Sequence, residues 1–405
     1  MSFRIRLDDL PLVITAKAVS FLGDELATVA LMLRLQSSGA GPGAVAILLI
    51  ANLAPIVLLA GPVGQLVDRY DNRRLLVISS LVQAGICVAL TTSASPIIVL
   101  PLVAALGAGQ AVNGATWQAL IPAVVGEQRL ARALSRSQAA NTTAGIAAPA
   151  LSGLLTGTFG ARVPLLIDAV TFLAVLGAAL LMQTRRAVRG RTSARLPGGL
   201  GIVRRAALLR TSIALLALFV LLGSMVNVVD VFLVRETLGA STTWYGISAA
   251  GYSIGVLVGA LAAGRLTSTT TLARAMLGSA ALLGLGLAAM GLAPGVVWLT
   301  AFGLAAGAMN GVLSVAAGAM IMGNAAPGER GRVAAVLGAA ISGTQLGAYA
   351  AGGILAASLG PRGVFVLGGC LAMLAPLVTG RPLLRSAAER ARATCRADVV
   401  PAGSG

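Results

Sequence analysis

The sequence predicts an all-α membrane protein of twelve transmembrane helices, arranged as two six-helix bundles. Three observations predict it. Hydrophobic residues make up 57% of the 405 positions and charged residues only 11%, whereas soluble domains carry about 25% charged residues. Several long stretches hold no charge, and about 20 apolar residues suffice for a helix to cross the hydrocarbon core. The basic residues fall unevenly around those stretches.

In chain order, residues 11–34 give the first helix and the charge-free run 35–67 the second. The run 75–126 is too long for one span and has Ser95-Pro96 near its middle, so it reads as a helical hairpin. Runs 137–161 and 163–184, the latter interrupted by Asp168, complete six. Runs 211–229 and 237–264 give the seventh and eighth, and 275–328, with Pro294-Gly295 inside, a second hairpin. Runs 333–361 and 363–380 close the set. The expected domains are a first bundle over 1–184, a basic linker over 185–210, a second bundle over 211–384 and a tail over 385–405. The first apolar segment follows two Arg and two Asp residues and has no convincing cleavage site, so it reads as a helix and not a signal peptide.

The net charge is +17. With both termini in the cytoplasm, only Arg34, Arg162, Arg235 and Arg362 of the 30 Lys and Arg residues lie at or near the opposite side. This is the positive-inside bias, and it sets the orientation. No basic face interleaved with aromatics occurs, which argues against nucleic acid. The stretch 185–210 holds eight arginines and reads as a solvated linker at the inner surface. Cys87, Cys370 and Cys395 imply no disulfide framework.

The halves resemble each other weakly. "GQLVDRYDNRRLL" at 64 aligns with "GRLTSTTTLARAM" at 264, an offset of 200, and the segments upstream align at nearly the same offset. Internal duplication is common in transporters, whose substrate sites lie near the midplane between repeats.

Gly64, Leu66, Asp68, Arg69, Arg73 and Arg74 resemble the signature loop between the second and third helices of the major facilitator superfamily. The usual pattern has Gly where this chain has Asp71, and often a basic residue where it has Asn72. The resemblance spans nearly the whole chain and implies a twelve-helix secondary transporter with a 6+6 division. It also implies that this loop latches the two halves on the cytoplasmic side. The residues support a latch independently. Gly64, one turn before Asp68, would let a neighbouring helix approach closely. Asp68 falls at a helix C-terminus, where the macrodipole disfavours an anion and a compensating partner is needed. Plain solvation accounts for Asp71 and Arg74 well, and for Gly64 and Asp68 less well.

The fifth helix, "AGIAAPALSGLL" over 144–155, is similar to the Gly-Pro-x-x-Gly-Gly element of exporters in that superfamily. Pro149 and Gly153 match, while Ala148 and Ser152 replace the flanking glycines. The segment 116–135 also resembles the siderophore and macrolide exporters. These likenesses imply the drug- and siderophore-efflux, proton-antiporter branch.

Acids within spans are the third feature. Asp24 and Glu25 interrupt the first helix, Asp168 lies in the sixth and Asp230 in the seventh. Each costs roughly 2.5–3.5 kcal/mol at the bilayer centre on insertion scales, so such residues face a cavity or a partner. The chain has no histidine, which leaves these carboxylates as the side-chain proton carriers. Asp24, mid-helix in "FLGDELATVALML", is the leading candidate, with Asp230 in support. Adjacent residues face about 100° apart, so Asp24 and Glu25 do not share one site. Asp168 reads as structural, and Asp230 has an outer ion pair with Arg235 as its alternative.

Asn113, Met225, Asn227, Tyr252, Met309, Asn310, Gln345 and Tyr349 form the expected substrate cavity, apolar and adaptable with few directional groups. Taken singly, each polar member fits a helix-packing hydrogen bond of about 0.6 kcal/mol equally well. Trp117 is expected at the inner interface.

The sequence therefore predicts a monomeric multi-pass protein of the cell membrane. Its expected role is to export a hydrophobic or amphipathic small molecule by proton antiport with alternating access, using the proton gradient and no cofactor. The alternatives are a proton-coupled symporter or facilitator for a nutrient, and a non-transporting receptor or assembly factor. An enzyme is not expected: there is no His for a triad or metal site and no Gly-x-Ser-x-Gly elbow.

Overall fold

The computed structural model describes residues 9–92, 95–125, 130–182, 199–266, 268–325 and 329–399. Most of the basic linker, residues 126–129 of the exporter-like segment and the end of the tail lie outside them. Among the described residues every regular element is helical.

The chain divides into two compact units. The first comprises residues 1–194 and 239–250, the second 195–238 and 251–405. In the first unit, α1 (Asp9–Ser37) packs on α6 (Leu130–Phe159) and α7 (Arg162–Leu181). There α2 (Pro42–Leu58) and α3 (Ala60–Arg69) lie on α5 (Pro96–Val125), and α4 (Asn72–Thr92) sits between α5 and α7. Pro42 opens α2, where a missing N–H costs nothing. Pro55 removes a hydrogen bond near its end, and α3 leaves at 53° to α2.

In the second unit, the short α8 (Gly199–Arg205) leads into α9 (Ala207–Phe232), which ends in a π-helical turn over Leu233–Thr237. After α10 (Thr242–Ala263) come α11 (Thr269–Gly291), α12 (Val296–Asn324) and α13 (Arg330–Val399). α13 packs on α9 and α11, and α12 on α11 and α9. The boundary between units falls inside α10.

Both charge-free runs too long for one span do split where turn chemistry was expected, between α4 and α5 and between α11 and α12. α13 is broken at Gly360, whose φ of 66° and ψ of 173° no side-chain-bearing residue adopts cheaply. Pro361 follows, suited to the first position of a new helical stretch.

Among the described residues, eight helices are long and apolar enough to cross a membrane, or nine if α2 and α3 form one bent span. Twelve were expected. The eight include the broken stretch Arg332–Arg385 once, and omit α1 and α6. α1 carries Lys17, Asp24, Glu25 and Arg34, and the first half of α6 is rich in Arg, Ser, Asn and Thr. Large apolar side chains such as Leu58, Ile97, Leu181, Ile354, Leu377 and Val378 stand exposed on the helices, as lipid-facing positions require. Trp117 is buried among Val13, Leu120, Ile121 and Met182.

Candidate functional site

The first unit gathers its polar groups around the middle of α1. Asp24 is half-buried, and its Oδ1 accepts a hydrogen bond from Gln110 Nε2 of α5 at 2.8 Å. The Gln110 carbonyl oxygen in turn accepts from Asn52 Nδ2 of α2 at 3.4 Å. α5 reaches α2 closely because Gly107, one turn before Gln110, rests on the Asn52 carbonyl where a Cβ would collide. Thr28 donates to the Asp24 main-chain carbonyl at 2.8 Å. Asn52, Gln110 and Asp24 thus form a relay across three helices, and no Arg or Lys among the described residues pairs with the acid. Glu25, also half-buried, is directed elsewhere by the helical step.

Asp168 of α7 is fully buried. Its Oδ2 accepts from the Cys87 thiol of α4 at 3.2 Å and its Oδ1 from the Thr171 hydroxyl at 3.1 Å. Gly23 of α1 covers it, with no room for a Cβ against Asp168 Oδ1. The two acids therefore lie on either side of one α1 residue, each with neutral partners.

Asn113 is one turn past Gln110, yet it belongs to another surface of α5. It is 6% exposed, donates to Gln83 Oε1 and accepts from the Ser79 hydroxyl, both on α4. Gln83 passes the chain on to the Leu106 carbonyl. The amide expected in the substrate cavity is committed to the seam between α4 and α5, since both its polar ends are used there.

In the second unit, Asp230 of α9 is half-buried and close to the Tyr252 phenol of α10, which in turn lies near Asn310 of α12. Gly307 rests on the Tyr252 carbonyl as Gly107 rests on that of Asn52. Both members of this contact are displaced by 200 residues, the offset of the sequence alignment, and Gln110 corresponds to Asn310. The next pair follows suit: Gly311 meets the Val256 carbonyl, and Ala111 clusters with Ile56. The weak internal repeat is thus a repeat of helix contacts.

Other expected cavity residues are dispersed. Met225 is buried, with its backbone against Gly352 of α13. Asn227 is exposed, and Met309, Gln345 and Tyr349 are half-buried.

In the loop between α3 and α4, Asp68, Arg69 and Arg74 are exposed and Arg73 half-buried. Among the described residues, a Cβ on Gly64 would meet no atom within 4 Å. Asp71, which departs from the usual pattern, caps α4: its Oδ1 accepts from the Arg73 backbone N–H at 3.0 Å.

Close approach does occur at the fifth-helix motif. A Cβ on Gly153 would lie 2.5 Å from the Gly246 Cα, and one on Gly246 3.3 Å from the Pro149 carbonyl. Ser152 replaces a glycine and uses its hydroxyl to bind the Leu26 carbonyl of α1 at 2.8 Å. Ala148 is fully buried.

The arrangement can hold and exchange protons on carboxyls with neutral partners. Among the described residues, no group of three His, Cys, Asp or Glu side chains is placed to hold a metal.

Comparison with known proteins follows the same lines. The family model described as Major Facilitator Superfamily matches residues 13–235 and 213–398. No curated protein sequence matches the chain. Among solved structures, a bacterial homolog of the human lysosomal transporter Spinster, in an inward-facing and occupied conformation, is similar at TM-score 0.69 and 16% identity. That match covers 99% of this chain and 100% of the other. The nucleoside transporter NupG gives TM-score 0.69 at 11% identity, covering 93% and 99%. A POT family transporter in complex with a thioalcohol-conjugated peptide gives 0.69 at 11%, covering 91% and 94%. At such identities the likeness is one of fold.

Proposed function

We propose, since the chain belongs to the Major Facilitator Superfamily and is a multi-pass membrane transporter and not an enzyme, that it exports a hydrophobic or amphipathic small molecule by proton antiport. The observation that carries this reading is Asp24: a mid-helix carboxylate whose side chain accepts from the neutral amide of Gln110. A carboxyl with neutral partners takes up and gives back a proton without breaking an ion pair. An acid there is costly enough in a membrane to need a function. Asp230, near Tyr252 and Asn310, is the supporting acid in the second unit.

The remaining assignments belong to the same proposal. α1 and α6 are spans despite their polarity, and Gly360 divides α13 into two, which gives twelve helices with both termini in the cytoplasm of a cell-membrane protein. The division into bundles at 1–184 and 211–384 belongs to it too, as does a monomer without cofactor. The transporter works by alternating access. Asp68, Arg69, Arg73 and Arg74, with Gly64, form a latch made in one state and released in the other. Pro149 and Gly153 supply the close helix contact that favours exchange over symport. Met225, Asn227, Tyr252, Met309, Asn310, Gln345 and Tyr349 contribute to the substrate cavity.

The test is efflux from proteoliposomes under an imposed pH gradient. Gradient-driven export that Asp24→Asn reduces to passive exchange supports the reading. Full coupled flux in that variant removes Asp24 from it, and inward substrate movement with inward protons reverses its direction.

A further inference from the structure

Lys17 is the sole lysine of the chain, and the mechanism above makes no use of it. It lies on α1 (Asp9–Ser37), about 9 Å along the axis from the helix midpoint. Its ammonium donates to the Ser137 hydroxyl of α6 at 3.2 Å. No carboxylate among the described residues pairs with it, although a partly buried ammonium calls for one.

The surroundings form a strip along the contact of α1 with α6. Lys17 meets Ser137, a Cβ on Gly145 would lie 3.4 Å from the Phe21 ring, and the Leu26 carbonyl meets Ser152. The positions advance together, so the two helices run parallel. Asn141 stands on α6 midway between Ser137 and Gly145, at the helical spacing that keeps it on the same face. Its amide oxygen is buried and has no hydrogen-bond partner. Turning the amide over exchanges that acceptor for two donors. Ser137 is itself buried, at 3% exposure. Going along α1 from Lys17, the same face offers the Phe21 ring and then Asp24, about 10 Å away.

We infer that Lys17, Ser137 and Asn141 form a subsite for the anionic group of the transported molecule, a carboxylate, sulfonate or phosphate. The apolar body of that molecule lies along Phe21 towards Asp24. This rests on the export reading for the word transported, and it narrows the substrate class from amphiphiles in general to amphipathic anions. The same anionic chemistry is also available from a lipid headgroup, so the test separates the two sources.

The experiment uses the full chain in phosphatidylcholine nanodiscs with no pH gradient. The probes are 8-anilinonaphthalene-1-sulfonate and its uncharged counterpart N-phenyl-1-naphthylamine, with empty discs subtracted. Lys17→Met is expected to weaken sulfonate binding at least about tenfold and to leave the uncharged probe unchanged, while Lys17→Arg retains both. Equal sulfonate binding in wild type and Lys17→Met overturns the subsite. So does parallel loss of both probes, or no sulfonate binding to the wild type. Undiminished binding in discs containing phosphatidylglycerol supports the substrate assignment. Loss of it there, with Lys17→Met insensitive to that lipid, gives the position to a headgroup and overturns it. Because binding is read without a gradient, failure of coupled export and failure of the subsite are separate results.

Discussion

Gln110 Nε2 donates to Asp24 Oδ1 at 2.8 Å while its own oxygen accepts from Asn52, so one amide ties the acid of α1 to both α5 and α2. Replacing Gln110 with Leu removes the acid's side-chain donor and strands the Asn52 amide. The expected cost is about 1–3 kcal/mol, read as a lower unfolding temperature in detergent, together with impaired gradient-driven flux. A variant with wild-type stability and flux would contradict this relay.

Asn113, one turn away, should behave differently. Asn113→Ala breaks a buried seam with Ser79 and Gln83 and is expected to cost about 1–3 kcal/mol of stability. Transport by the protein that does fold should keep its substrate affinity. A change of substrate selectivity, with stability intact, would return Asn113 to the cavity.

Two glycines provide a paired comparison. At Gly153 an added methyl meets Gly246 backbone at 2.5 Å, whereas at Gly64 it meets nothing within 4 Å among the described residues. Gly153→Ala is expected to destabilise by about 1–3 kcal/mol through overpacking and to lower export. Gly64→Ala should leave folding unchanged. If Gly64→Ala nevertheless slows transport in flux assays, the close approach belongs to another conformational state, as a latch requires.

Asp71→Ala removes the side-chain cap of α4, worth about 1 kcal/mol. Thermal unfolding should register the loss, and Asp71→Asn or Asp71→Ser should restore most of it. Export is expected to continue in all three. Abolished export in the capped variants would mean that the charge itself matters.

What could be read from the chain followed the strength of the physical signal. Charge in an apolar run is conspicuous, so Asp24, Asp168 and Asp230 were found at once, and Pro294-Gly295 marked its hairpin. The end of the eleventh expected span was placed by Arg362, within two residues of the break at Gly360. Neutral amides give no such signal. Gln110 and Asn113 are equally polar on one helix, and only the packing of α5 decides that one meets Asp24 and the other Gln83. Gln110, Asn52 and Gln83 therefore escape a reading of the sequence, and the Cys87 thiol gives no sign there of its contact with Asp168. Asp71 reads from the sequence as a departure from the usual pattern and a solvated charge, because the pattern carries no information about local capping. The 200-residue offset was faint in side chains and plain in backbone contacts, since Gly107 and Gly307 are retained where their partners, Asn52 and Tyr252, differ.

The boundary inside α10 bears on how the protein can be divided experimentally. Residues 239–250 come late in the chain, yet they belong with the first unit, where Gly246 fills the groove at Gly153. A gene cut within the basic linker would yield an N-terminal fragment with that groove empty and a C-terminal fragment holding the missing piece. Such fragments are expected to be degraded when expressed singly and to rescue one another when expressed together, which makes the two halves of this chain obligate partners.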